Sequence, residues 1–110
     1  MAELADSALV VSSLLKGIVS ADPGERERAA DEVCDVVMSL GEFAPAVSWA
    51  LVLARSVESS VAAQEAQLHA LAQVRELVGL SDDVLGLIRR RGGSWRGGSQ
   101  DEYVAFLTEH

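Results

Sequence analysis

Few side chains in this sequence have the type and spacing that catalysis or metal binding needs. Glu65 and His69 lie one helical turn apart in EAQLH, close enough to share a proton or a metal ion. A zinc site needs three or four such ligands, yet the only other histidine is the terminal His110, and HExxH is absent. His69 is therefore expected as a surface or core-edge side chain. Cys34 is the single cysteine, which excludes an intrachain disulfide and a thiolate cluster. No histidine lies within a helical turn of it, so the local sequence cannot build a thiol–imidazole pair. It is expected as a small core residue. No serine sits in GxSxG, and the phosphate-cradling patterns GxGxxG and GxxxxGK are missing. Glu25, Glu27, Asp31, Glu32 and Asp35 supply enough carboxylates for Mg2+, but an unbroken helix spreads its side chains outward and does not converge their oxygens. The sequence is read as non-enzymatic, with no metal and no cofactor.

Two charged features remain. The formal charge is −8 at pH 7. Residues 1–88 hold fourteen acidic and five basic side chains, residues 89–96 four arginines, and residues 97–110 three acids. Glu27, Asp31, Glu32 and Asp35 fall along the exposed side of one helix, opposed only by Arg26 and Arg28. Such an edge is either a solvated face or the contact for a basic protein, whose encounter it would speed by electrostatic steering. The alternative contact is Arg89, Arg90, Arg91 and Arg96 around Trp95. It suits an acidic protein, or a nucleic acid with Trp95 as stacking platform; its plain reading is a helix C-terminus where cations are favoured. The net charge repels duplex phosphates, so the partner is expected to be another protein, a basic one, and not a nucleic acid. The apolar run from Leu9 to Leu15 is broken by Ser12 and Ser13 and is far shorter than the roughly 20 residues that span a bilayer. No basic stretch precedes it as in a signal peptide, so a cytoplasmic protein without membrane contact is expected.

Helices must position these groups. The clearest covers Asp22 to Leu40. Asp22 can cap it, Pro23 suits its first position, and Glu25 completes a variant capping box. Ala29, Ala30, Val33, Val36, Val37 and Leu40 recur at three- and four-residue steps on the inward side, and Gly41 ends the helix in a left-handed conformation. A first helix over 3–20 turns Ala8, Val11, Leu15, Ile18 and Val19 inward, with Leu14 beside them and Gly17 allowing a close approach. Pro45 opens a third helix reaching Val57. It is apolar on nearly every side and is predicted to be the most buried, with Trp49 as its core anchor. Ser59 or Ser60 caps a fourth over 61–78, with Ala63, Ala66, Ala70, Leu71, Val74, Leu77 and Val78 on one face and Gln67 away from it. Ser81 caps a fifth that ends at Arg91. Residues 92–98 read as a glycine-rich loop, and Ser99 with Glu102 opens a short C-terminal helix over 99–108.

Five or six short antiparallel helices therefore make one all-α domain over 1–110, either HEAT-like or a helical bundle. A shift of 37 residues lays Ala29, Val33, Cys34, Val37 and Leu40 over Ala66, Ala70, Leu71, Val74 and Leu77. With the Asp22–Pro23 start, this resembles HEAT-like helical repeats over roughly residues 20–90. RRRGGSWRGG resembles Arg-Gly segments that touch RNA. Arginine outnumbers lysine eight to one, a usage that resembles GC-rich bacterial genomes. A short, acidic, cofactor-free helical chain of this kind resembles bacterial immunity-type and regulatory proteins. That resemblance implies a non-catalytic protein-binding domain that covers a basic partner with Glu27, Asp31, Glu32 and Asp35. A self-associating adaptor, with the third helix completing a homodimer core, is a further alternative.

Overall fold

The structure is a computed structural model that describes residues 2–95 and 100–108, with side chains from residue 8 onward. Six α-helices follow in order: α1 (Ala2–Ile18), α2 (Pro23–Val36), α3 (Ala44–Val57), α4 (Val61–Leu77), α5 (Asp82–Arg91) and α6 (Asp101–Thr108). The described residues contain no strand and no helix long and apolar enough to cross a membrane. The caps fall where side-chain oxygens can reach free N–H groups. Asp22 Oδ2 accepts from the Glu25 N–H at 2.9 Å, Ser60 Oγ from Ala63 at 3.4 Å, and Ser81 Oγ from Val84 at 3.3 Å. The capping box at α2 runs through a relay. The Asp22 N–H donates to Ser20 Oγ at 3.2 Å, and the Ser20 hydroxyl donates to Glu25. α2 stops at Val36, four residues short of expectation, and tightens into 3₁₀ turns over Val37–Ser39 and Gly41–Phe43. Gly41 (φ +54°) and Gly79 (φ +101°) take the left-handed backbone that α2 and α4 need to change direction.

Connections over 19–22 and 58–60 are too short to do anything but fold α1 back on α2 and α3 back on α4. α5 and α6 form a third such pair across the 3₁₀ turn Gly92–Trp95. The three hairpins lie side by side in two layers. α3 touches α1 and α5 within one layer, and α4 touches α2 and α6 within the other. The shortest dimension, 19 Å, is two helices thick at about 10 Å each. The radius of gyration, 13.1 Å, matches the roughly 13 Å of a single folded domain of this length. The 37-residue offset relates α2 to α4, which hold corresponding places in consecutive hairpins.

The helices form as expected, but several turn differently about their axes. Val11, Leu14 and Ile18 bury the inward stripe of α1, whereas Ala8 and Val19 are exposed and Leu15 is half-buried. Gly17 does permit a close approach: a Cβ there would stand 2.6 Å from Ala29 Cβ on α2. α4 is the helix buried most deeply, and it takes Gln67 into the core while Leu77 and Val78 stay at the surface. α3 exposes a full apolar side, and Trp49 is 41% exposed. The core tryptophan is Trp95, 3% exposed, with Arg55 over its ring at 5.5 Å from the centroid. Apolar residues all round α3 leave its rotation unspecified by pattern alone, so the expected anchor faces outward. The expected loop 92–98 is helical over Gly92–Trp95, and Arg96, Gly97, Gly98 and Ser99 lie outside the described residues.

Candidate functional site

The layer of α2, α4 and α6 carries nine acidic and three basic side chains; the layer of α1, α3 and α5 carries four acidic and five basic. The net charges are −6 and +1, so most of the excess negative charge belongs to the helices of one layer. Within the acidic layer, Glu27 and Asp31 stand one turn apart on α2 and face α4. With Glu65, His69 and Tyr103 they line a recess of about 240 Å³ at the α2/α4 seam. Glu32 and Asp35 project further round α2 and are exposed. Among the described residues none of Glu27, Asp31, Glu32 and Asp35 forms an ion pair. Arg28 is exposed and, among the described residues, pairs with neither Asp31 nor Glu32.

Arg26 leaves the acidic edge altogether. It turns inward to Glu58 on the α3–α4 connection, with Nε 2.6 Å from Oε1 and Nη2 2.8 Å from Oε2. The Glu58 side chain is 1% exposed. It also accepts from Gln67 Nε2 at 2.9 Å and from the Ser60 N–H at 3.2 Å. The hydrogen bonds from Arg26 hold the Glu58 carboxyl down at about 2, against the opposing effect of burial. Arg26 Nη1 reaches the carbonyls of Ser20 and Ala21, so one guanidinium ties the α1–α2 turn to the α3–α4 turn. The polar chain continues from the Glu58 carbonyl through Gln64 to Gln100 and Arg55, which covers Trp95. Local sequence gives no sign of this network, because Arg26 and Glu58 stand 32 positions apart.

Tertiary packing also builds a contact that the local sequence lacks. Cys34 Sγ lies 3.9 Å from His69 Nδ1, and the His69 ring packs against Tyr103 with centroids 5.6 Å apart. Burial pushes the pKa of the Cys34 thiol up, and Asp31 and Asp35 push it further, so the thiol form is favoured at neutral pH. The described residues gather no group of three or more metal-ligating side chains. Arg89, Arg90 and Arg91 are exposed on the last turn of α5. Trp95 is buried and gives them no stacking platform, which corrects the expected Arg–Trp surface; Arg96 lies outside the described residues.

The opposite layer bears a second feature. A groove of about 530 Å³ runs between α1 and α3, walled by Val19, Trp49, Leu53 and Val57 and closed at one end by the Arg26–Glu58 pair. Val19 and Ala46 continue it into a further depression of about 470 Å³ beside Ala8, Leu15 and Phe43. Ala8, Leu15 and Val19, expected in the core, thus line an open apolar channel. Its charged members are Lys16 and the mutually paired Arg26 and Glu58. No protein-family model, no curated protein and no solved structure matches this chain.

Proposed function

We propose that this chain is a non-catalytic protein-binding domain that receives a basic partner on the layer of α2, α4 and α6. The observation that carries the reading is the recess between α2 and α4. Glu27, Asp31 and Glu65 surround it with negative charge, and the Tyr103 ring lies at its side. Carboxylates beside an aromatic ring suit an arginine or lysine side chain, through charge and through attraction of the cation to the ring. The segregation of net −6 onto this layer would orient an approaching basic protein before contact. Glu32 and Asp35 form the outer rim, where they act on encounter rate more than on lifetime.

An immunity-type or regulatory role in a bacterial cytoplasm fits this reading: an acidic layer covers the basic working surface of a nuclease or similar toxin. The 37-residue offset and the two-layer stacking of hairpins support the HEAT-like resemblance. The alternative through Arg89, Arg90 and Arg91 has less support, because the tryptophan that would stack with a base is buried. The test is affinity capture of a basic protein with wild type and with Asp31→Lys/Asp35→Lys. Loss of capture by the variant, and at least a tenfold weakening (about 1.4 kcal/mol) of the purified complex, is expected. Unchanged capture by a folded variant would remove the acidic layer from consideration.

A further inference from the structure

We infer that the α1/α3 groove is the face through which two copies of this chain associate about a two-fold axis. The inference is independent of the acidic-layer reading and concerns the other side of the molecule. Trp49, Leu53 and Val57 repeat at four-residue steps directly opposite the buried side of α3, and they are 41%, 46% and 85% exposed. Beside this ridge, Ala46, Ala50 and Ala54 repeat at the same step and form a furrow on the side of α1. A ridge and a furrow of equal pitch on one helix are complementary to themselves. The ridge of one copy fits the furrow of the other when the two α3 helices cross at about −50°, the geometry in which four-residue ridges interdigitate. Such reciprocal contact is what a two-fold interface requires.

The ridge and furrow of α3 select a second copy as the occupant, and the charge distribution permits it. A chain of net −8 repels itself, so two copies can meet only through a region free of that charge. The groove supplies it. Lys16 is its one charge without a partner inside the groove lining, whereas the acidic layer lies on the far side of each copy. In a face-to-face pair the outer acidic surfaces stand apart by about twice the 19 Å thickness of one chain, several Debye lengths at physiological salt. A foreign charged helix finds no matching pattern of charges along the groove. The pairing also covers apolar side chains that the α1 pattern assigns to a core and that the single chain leaves open, Val19 above all at 71% exposure.

The test is the mass of the full chain in solution by light scattering and sedimentation. Wild type is expected at about 23 kDa, twice the 11.7 kDa of one chain. Leu53→Glu is expected at the single-chain mass with an unchanged far-ultraviolet spectrum. Val57→Glu serves the same purpose at the most exposed position, should Leu53→Glu disturb folding. The association should tighten as salt rises from about 0.01 M to about 0.15 M, because screening removes repulsion while the contact is apolar. Wild type at the single-chain mass up to about 1 mM overturns the inference and leaves the groove to a helix of another protein. An open-ended assembly, or a dimer that survives both substitutions in folded protein, overturns it as well.

Discussion

The α2/α4 seam and the α1/α3 seam join the same two hairpins, yet one is closed and charged at its rim and the other is open and apolar. Ala29, Ala30, Ala63, Ala66 and Ala70 are all buried, and small side chains let α2 and α4 approach closely. Little apolar surface remains at that seam, so its outer edge is free to carry Glu27, Asp31 and Glu65. In the other layer, Gly17 brings α1 hard against Ala29, and α1 packs more on α2 than on α3. The space left beside α3 is the groove. A close approach made in one direction thus opens a channel in another, and the residues facing that channel stay apolar without a partner among the described residues. The two proposed interaction faces are opposite in character, and opposite responses to salt should tell them apart. A complex on the acidic layer should weaken as salt rises, whereas association through the groove should strengthen.

The two tryptophans give the largest contrast between the closed body and the open seam. Trp95→Ala should cost about 3–5 kcal/mol, because it empties a buried site beneath Arg55. Trp49→Ala should cost under about 1 kcal/mol in the single chain, since much of that ring already meets water. Urea denaturation at low protein concentration measures both, and equal costs would break the comparison.

Glu58 comes next, because it ties the turns that border both seams. Glu58→Ala strands the Arg26 cation and the Gln67 amide and should cost about 3 kcal/mol. The same tie sets an acid response. The folded carboxyl sits at about 2, below its ordinary 4.5. Its stabilising contribution is therefore complete above pH 4.5 and is lost as pH falls towards 2. In Glu58→Gln that part of the decline should disappear, read as a flatter dependence of unfolding free energy on pH over this interval.

Gly17→Ala sets two effects against each other. The alanine gains about 1 kcal/mol in helix propensity. Its methyl meets Ala29 Cβ at 2.6 Å, and neither group can swing aside. Overpacking of about 1–3 kcal/mol exceeds the gain, so a net loss of about 1 kcal/mol is expected. The change also pushes α1 off α2, which should narrow the groove and weaken any association through it. Leu53→Glu should have the smallest effect on the single chain, within about 0.5 kcal/mol, while abolishing self-association.

The sequence by itself determined where most helices start. Asp22, Ser60 and Ser81 cap three of them and Gly79 ends one, because a cap or a left-handed turn acts within four residues of its own backbone, whereas Gly41, the expected end of α2, lies beyond the 3₁₀ turn that follows Val36. It also showed the acid-rich edge of α2, since charge spacing along a helix survives folding. Only the tertiary structure decided how each helix is rotated. The stripe on α1 is wider than its core contact, and α3 is apolar on nearly every side, so pattern alone could not say that Val19 and Trp49 face outward. Arg26 had acidic neighbours within a turn but took Glu58, 32 positions away, because a carboxylate already withdrawn from water binds a guanidinium more strongly than an exposed one does. The approach of Cys34 to His69 and the burial of Trp95 under Arg55 arise the same way. Each depends on which helices become neighbours, and hydrogen bonds made within one turn carry no record of that choice.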